Sequence, residues 1–301
     1  MNLEYGEKLM NIKLLTDKDL QQLHQYLLPH QSECMFICSN LKDGGIVFRQ
    51  APYQGEYVGF FNDKTNLLEG VIVHYWNGNI IMYASNVNVL AQLTLYFKKH
   101  INRPVVGILG PNAQAEYVIN FLGCTNKRFS INSNEGLYEI ELFNICTPNL
   151  PHDYEIVKIE QAPEELITQW LKAYHIEALG STDNNELDEE IKEDARRIID
   201  RNDCWILLVK GIPVSLSAFN ARLEKIVQVG PVWTPPLYRK NGYATLLLTH
   251  ILAHAKDNGI TKAVLFTNNE VAINVYQKIG FKKIGNFRLA IFEKPLELKN
   301  F

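Results

Sequence analysis

Long apolar runs are missing from this 301-residue chain, as is a basic start followed by an apolar centre, so neither a membrane span nor a secretory leader is predicted. Cysteine is scarce: the five residues at 34, 38, 124, 146 and 204 are odd in number and scattered, which excludes a disulfide scaffold and fits a reducing cytoplasm. There is no compositional sign of disorder, with 47% hydrophobic and 21% charged residues. A net charge of −3 without a continuous basic face argues against nucleic-acid binding. A complete metal-binding motif is also lacking. His250 and His254 stand one helical turn apart but enclose no glutamate, and Cys34 and Cys38, which share a face with His30, read as small buried residues. No metal is predicted.

What is present is enough apolar sequence for two α/β (α+β) domains. Pro148 and Pro151 interrupt helix and strand patterns alike, so the predicted domains are 1–147 and 152–301. The second half predicts helices at 163–179 and 186–200, then strands at 203–209, 213–221 and 225–233. Helix 242–257, strand 261–267, helix 269–279 and two strands at 281–284 and 287–293 follow. The first half predicts helices at 16–28 and 30–42 and strands at 56–61 and 69–76. Asn77-Gly78 is a hairpin signal leading to a strand at 79–84. Helix 87–100, strand 104–109, helix 112–122 and strand 137–142 complete it. The shared order implies two copies of one fold.

The second half holds the chemistry. Val229 to Ala244 joins a strand to an amphipathic helix through a basic, glycine-bearing turn, and Ala244, Leu247, Leu248, Ile251, Leu252 and Ala255 mark the helix's buried face. A helix start offers unpaired N–H groups and a positive dipole end, which suit phosphate. The turn is neither a P-loop nor a dinucleotide fingerprint, because no Gly-Lys-Ser/Thr follows and the other glycines are missing. From Arg239 onward ten Lys and Arg oppose four acids, a balance of +6 against −9 for the rest, which favours a polyanionic ligand.

Arg239-x-x-Gly242-x-Ala244, followed by Asn269-x-x-Ala272-x-x-x-Tyr276 and Gly280-Phe281, resembles the GNAT superfamily of N-acetyltransferases, whose acetyl-CoA loop reads Gln/Arg-x-x-Gly-x-Gly/Ala. The resemblance covers roughly the last third of the chain and implies two tandem GNAT folds, each a mixed, largely antiparallel sheet flanked by helices. It also implies direct acetyl transfer from acetyl-CoA to an amine. Backbone groups of Val232, Trp233 and Thr234 would meet pantetheine and the thioester carbonyl. Arg239, Lys240, Asn241, Gly242, Tyr243 and Ala244 would hold the pyrophosphate, and Asn269 would contact the pantetheine arm or simply cap its helix. Tyr276 would protonate the leaving thiolate, unless it only packs against the sheet.

One departure stands out. Where many members carry a glutamate base, eleven residues before Arg239, this chain has Gln228. A water relay, another acid such as Glu177 or Glu224, or an amine arriving neutral would replace it. Trp170, Tyr174 and Glu177 share a helix face on the family's acceptor side. In the first half the matching junction, Met82 to Leu90, has no Arg-x-x-Gly-x-Ala, so that copy is expected to bind no cofactor and to shape or cover the acceptor site. Gly107 and Gly110 read as strand end and turn. The prediction is a cytoplasmic N-acetyltransferase, monomeric or homodimeric, acting without metal, membrane or nucleic acid. The alternatives are a non-catalytic CoA-binding sensor, or a scaffold that binds nothing.

Overall fold

The computed structural model describes residues 11–298. The first part of the chain forms β1 (Ile12–Leu14), α1 (Leu20–Leu27), α2 (Met35–Gly44), β2 (Gly55–Phe61), β3 (Leu68–Tyr75), β4 (Asn79–Ala84), α3 (Val87–His100), β5 (Val105–Pro111), α4 (Asn112–Phe121) and β6 (Phe129–Glu141). The second forms β7 (Tyr154–Lys158), α5 (Glu164–Leu179), α6 (Asn185–Arg201), β8 (Cys204–Val209), β9 (Ile212–Arg222), β10 (Ile226–Trp233), α7 (Tyr243–Asp257), β11 (Lys262–Thr267), α8 (Glu270–Ile279) and β12 (Lys282–Leu296).

Two compact units result, and they do not follow the 1–147 and 152–301 division. Unit 1 takes the residues up to Glu135 together with those from Asn286 on, and unit 2 is Gly136–Gly285. The strands explain the difference. In unit 1 the sheet order is β1-β2-β3-β4-β5-β12, antiparallel except for the β4–β5 pair. In unit 2 it is β7-β8-β9-β10-β11-β6, again antiparallel except for β10–β11. The two sheets have the same plan, and the final strand of each half of the sequence completes the sheet built by the other half.

The exchange also accounts for two sequence misreadings. The two closing strands expected at 281–284 and 287–293 are one continuous strand, β12, because Gly285-Asn286 is where the chain passes to the other unit rather than a reversal. The strand expected at 137–142 is only the second part of β6, whose polar stretch Ser130-Ile-Asn-Ser-Asn-Glu135 hides its extension. The short edge strands β1 and β7 were not foreseen. The helix expected at 30–42 starts later, as α2 at Met35, because His30 ends a 3-10 turn and residues 31–34 make a further turn.

In unit 2 both faces of the sheet are covered. Successive β8 residues alternate between layers: Trp205 and Leu207 pack with Leu247, Leu248, Ile251, Leu252 and Ala255 of α7, while Cys204 and Ile206 pack with α5 and α6 through Trp170, Leu171 and Ile191. That is why Cys-Trp-Ile-Leu-Leu-Val carries no polar alternation. Of the α7 positions the helical spacing marks, Leu247, Leu248, Ile251, Leu252 and Ala255 are buried and Ala244 is half-buried, while Ala253, which it does not mark, is buried as well; each buried Leu or Ile contributes about 1.5–3 kcal/mol. In unit 1, α3 and α4 cover one face with Leu90, Leu93, Phe97, Val118 and Ile119, joined by Ala290 and Phe292 of β12.

A chain ending at residue 147 would lack β12 and leave β5 an unpaired edge. Its amide NMR spectrum is expected to show the narrow dispersion of an unfolded or aggregating fragment; a well-dispersed monomer would contradict the exchanged topology.

Candidate functional site

The geometry of unit 2 turns on where β10 leaves β11. Their parallel pairing holds Ile226 to Lys262, Val227 to Ala263 and Gln228 to Val264, then stops, although β10 continues to Trp233 and β11 to Thr267. The other edge of β10 stays paired with β9 but shifts register on both sides of Val229. Gly230 there has a φ of 147°, open to glycine and strained for other residues, and Pro231 has no N–H to donate. From Val229 to Trp233 one backbone edge therefore faces an opening rather than a strand. Trp233 is buried and Val232 and Thr234 half-buried; the Trp233 carbonyl accepts from Ser215 Oγ at 3.2 Å, and Ser215 Oγ lies 2.8 Å from Thr234 Oγ1. Gln228 Oε1 and Trp233 Nε1 are buried without a hydrogen-bond partner. Polar atoms left so cost about 1–3 kcal/mol each, and here both sit on the strand that opens.

Beyond β10 the chain makes a short turn at Pro236–Tyr238 and enters α7 through Lys240, Asn241 and Gly242. Asn241 Nδ2 braces the turn by donating to the carbonyls of Tyr238 and Arg239 at 3.1 and 3.2 Å. Gly242 is the N-cap, with φ 79°; it has no side chain to cap α7, and a Cβ built there meets nothing within 4 Å. The first turn carries no acid. A positive helix end with open space over its cap, flanked by Lys240, fits a diphosphate. Tyr243 is half-buried against Tyr154, and Ala244 stays small at the helix start.

Two candidates meet each other. Arg239 Nη1 and Nη2 each lie 2.8 Å from a Glu177 carboxylate oxygen, Nε donates to the Thr234 carbonyl at 2.9 Å, and the guanidinium carbon stands 5.0 Å from the Trp233 ring centre. Both oxygens of Glu177 are thus occupied. Glu224 is exposed in the turn before β10, at the end opposite the opening, and cannot serve there as a base.

Helix α8 supplies the remaining pair. Asn269 Oδ1 accepts from Val271 and Ala272 N–H at 3.0 and 3.1 Å, a helix N-cap. Tyr276 is the buried residue of α8 and meets Phe281 edge-on. Burial, and next the nearby Tyr174 of α5, push its phenol pKa up. The group therefore holds its proton.

Unit 1 shows what the same plan looks like closed. Its parallel pair ends at Ile81 and Leu109, the counterparts of Gln228 and Val264. Five residues past Leu109 and Val264 stand Gln114 and Asn269; twelve past stand Phe121 and Tyr276. Gln114 spans the gap: its Oε1 accepts from Ala84 N–H at 2.9 Å and its Nε2 donates to the Ala84 carbonyl at 3.0 Å. β4 and α3 are joined by Ser85 and Asn86 alone, and Asn86 caps α3 by accepting from Asn88 and Val89 N–H. Phe121 has no hydroxyl to give. Gly107 and Gly110 lie in β5, with Gly110 against Met82. Sequence reading missed Gln114, whose only signal is its place in this register.

Other polar clusters are accounted for locally. Tyr83 Oη lies 2.8 Å from His30 Nδ1; Cys34 and Cys38 are buried, which pushes the Cys38 thiol up to about 12. His254 is exposed beside Trp205, while burial lowers the pKa of half-buried His250. Between α5 and α6, the ligand atoms of His175, Glu190 and Asp194 lie within 4.8 Å of one another. His175 and Arg197 already hold the two Asp194 oxygens, so the His175–Asp194 pair joins the two helices.

The sequence matches the Acetyltransferase (GNAT) family over residues 165–281. An acetyltransferase of the GNAT family from Colwellia psychrerythraea is 17% identical, with 94% of this chain and 99% of that chain covered and a TM-score of 0.50. A GCN5-related N-acetyltransferase from Sphaerobacter thermophilus is 12% identical, with 94% and 95% covered and a TM-score of 0.56. A tandem GNAT protein from the clavulanic acid biosynthesis pathway is 10% identical, with 95% and 99% covered and a TM-score of 0.54. At these identities the likeness shows the fold alone. No curated protein sequence matches the chain.

Gln114→Ala would leave both backbone groups of buried Ala84 without this partner. The substitution is expected to lower stability by about 1–3 kcal/mol, read from the urea midpoint; an unchanged midpoint would mean that water replaces the amide at no cost.

Proposed function

We propose, from the premise that this chain belongs to the GNAT superfamily and carries two tandem GNAT folds, that unit 2 is an N-acetyltransferase acting on acetyl-CoA and an amine. The observation that carries the reading is the pairing of an open strand edge with a glycine-capped helix end: β10 parts from β11 after Gln228, and α7 begins at Gly242, where a Cβ would meet no atom of the described residues within 4 Å. Unit 1, with Gln114 and Asn86 in the corresponding places, binds no acetyl-CoA.

Acetyl-CoA supplies an activated acyl thioester. Backbone N–H groups of Gly242, Tyr243 and Ala244, with Lys240 and Asn241 beside them, hold its diphosphate. The free edge of Val232, Trp233 and Thr234 orients the pantetheine arm and offers donors where negative charge develops on the carbonyl oxygen. The side-chain amide of Asn269, whose oxygen is the helix cap, contacts the same arm through its nitrogen. As the new C–N bond forms and the C–S bond breaks, Tyr276 gives its proton to the departing sulfur. The amine's proton leaves to solvent. With an amide at Gln228 and Glu177 held by Arg239, the acceptor arrives as the neutral amine.

The same two residues favour a second reading, a CoA-binding sensor that does not turn over. A panel of primary amines separates them: thiol release dependent on the amine supports the transferase, and binding without release supports the sensor.

Titration calorimetry with acetyl-CoA is expected to give one site per chain. Gly242→Glu, which sets bulk and negative charge at the helix end, should abolish it; two sites per chain would overturn the assignment of unit 1, and none would leave only a scaffold.

Tyr276→Phe is expected to lower kcat roughly a hundredfold. The wild-type pH profile follows from the sign of the shift: the donor must be protonated, and its pKa is raised above the usual 10.0, so the rate should climb as the amine deprotonates and show no fall on the alkaline side below pH 10. A falling limb near neutrality would remove Tyr276 from the acid role.

A further inference from the structure

Arg239 belongs to the loop by sequence but to α5 by contact. Its planar fork is shared between both Glu177 oxygens at 2.8 Å and the Thr234 carbonyl at 2.9 Å, with Trp233 beneath it. Those partners lie on the last turns of α5 and at the end of β10, with Thr234 just past it. An exposed ion pair on its own holds little; a rigid guanidinium fixed at three points holds geometry.

Helix α5 is a wall of the reacting region. Trp170 and Tyr174 pack in one cluster with Trp233, and Tyr174 lies near enough to Tyr276 to act on its phenol. Glu177 continues this face one turn later. A link from Arg239 to Glu177 therefore runs from the loop that leads into α7 to the helix that stands beside the proton donor. The α7 end meanwhile needs no guanidinium to attract an anion, since it has its own N–H groups, its dipole and Lys240.

We infer that Arg239 is a positioning residue that locks α5 against the donor loop and so shapes the amine side of the site, rather than a ligand of the diphosphate. The inference rests on the transferase reading only for what α5 faces. The clamp itself is independent of it.

Hydrogen exchange of the intact protein, read over residues 173–179, tests the clamp, and acetyl-CoA calorimetry tests the ligand role. Arg239→Gln and Glu177→Gln are each expected to speed exchange in that segment at least fivefold. The double variant should be no faster than either single, because one interaction is lost in all three. Acetyl-CoA affinity in Arg239→Gln should stay within threefold of wild type, whereas Lys240→Glu weakens it at least tenfold with α5 exchange unchanged. Unchanged exchange in Arg239→Gln, or a tenfold loss of acetyl-CoA affinity in it, would overturn the inference. Failure of wild type to bind acetyl-CoA would instead count against the donor reading, with the exchange result still deciding the clamp.

Discussion

One lost ladder governs unit 2: beyond Gln228 and Val264, β10 and β11 no longer pair. A buried strand with an unpaired edge is costly unless something satisfies it, because each backbone N–H and C=O must find a partner. The bulge around Gly230 and Pro231 turns the strand so that its β9 edge recovers pairing at Val232 and Trp233, leaving the cost on the other edge. The extra chain from Thr234 to Gly242 is then long enough to start α7 at the mouth of the gap instead of across it. In the proposed reading, strand edge and helix end are the two parts that a molecule with amides and phosphates would meet.

Unit 1 is the control that the chain carries within itself. Its strands part at the same register, so parting alone does not make a site. Gln114 contributes an amide that does for Ala84 what a neighbouring strand would do, and Asn86 does for α3 what an anion would do for α7. Asn269, five residues past the same register point, has one methylene fewer than Gln114 and turns its oxygen onto its own helix. The difference between the two units thus includes one methylene, one cap residue, the length of one junction and the bulge that β10 has and β4 lacks. None of these alters the core.

Much of this was legible because it is local. The spacing of Leu247, Leu248, Ile251 and Leu252 dictates α7, and Asn77-Gly78 dictates the β3–β4 hairpin, whatever the rest of the chain does. The loop glycine and the pair Asn269 and Tyr276 were reached differently, through a resemblance between short motifs. What escaped was non-local. Nothing in Lys282 to Leu296 says which β5 or β11 edge it will join, since the same apolar alternation suits either. The engagement of Arg239 by Glu177 spans sixty-two positions and has no sequence pattern at all. The division at Pro148 and Pro151 marked a real break in secondary structure but not the limits of the compact units, because compactness follows pairing rather than chain order.

The exchange of strands gives a physical reason why a copy without an open site persists. β6 is encoded by the first half of the sequence and pairs along the whole of β11, from Lys262 with Glu141 to Thr267 with Gly136. Glu139 and Glu141 also hold Lys262 at 3.1 and 3.4 Å. Remove the first half, and β11 becomes an exposed apolar edge, a template for aggregation. Pairing with β10 ends at Val264, so beyond that point β11 would also lose the ladder that β6 gives it. The open site of unit 2 can exist only because a strand from the other copy supports β11 from behind. Whatever unit 1 itself binds, the strand that its half of the chain gives to β11 is therefore indispensable to unit 2.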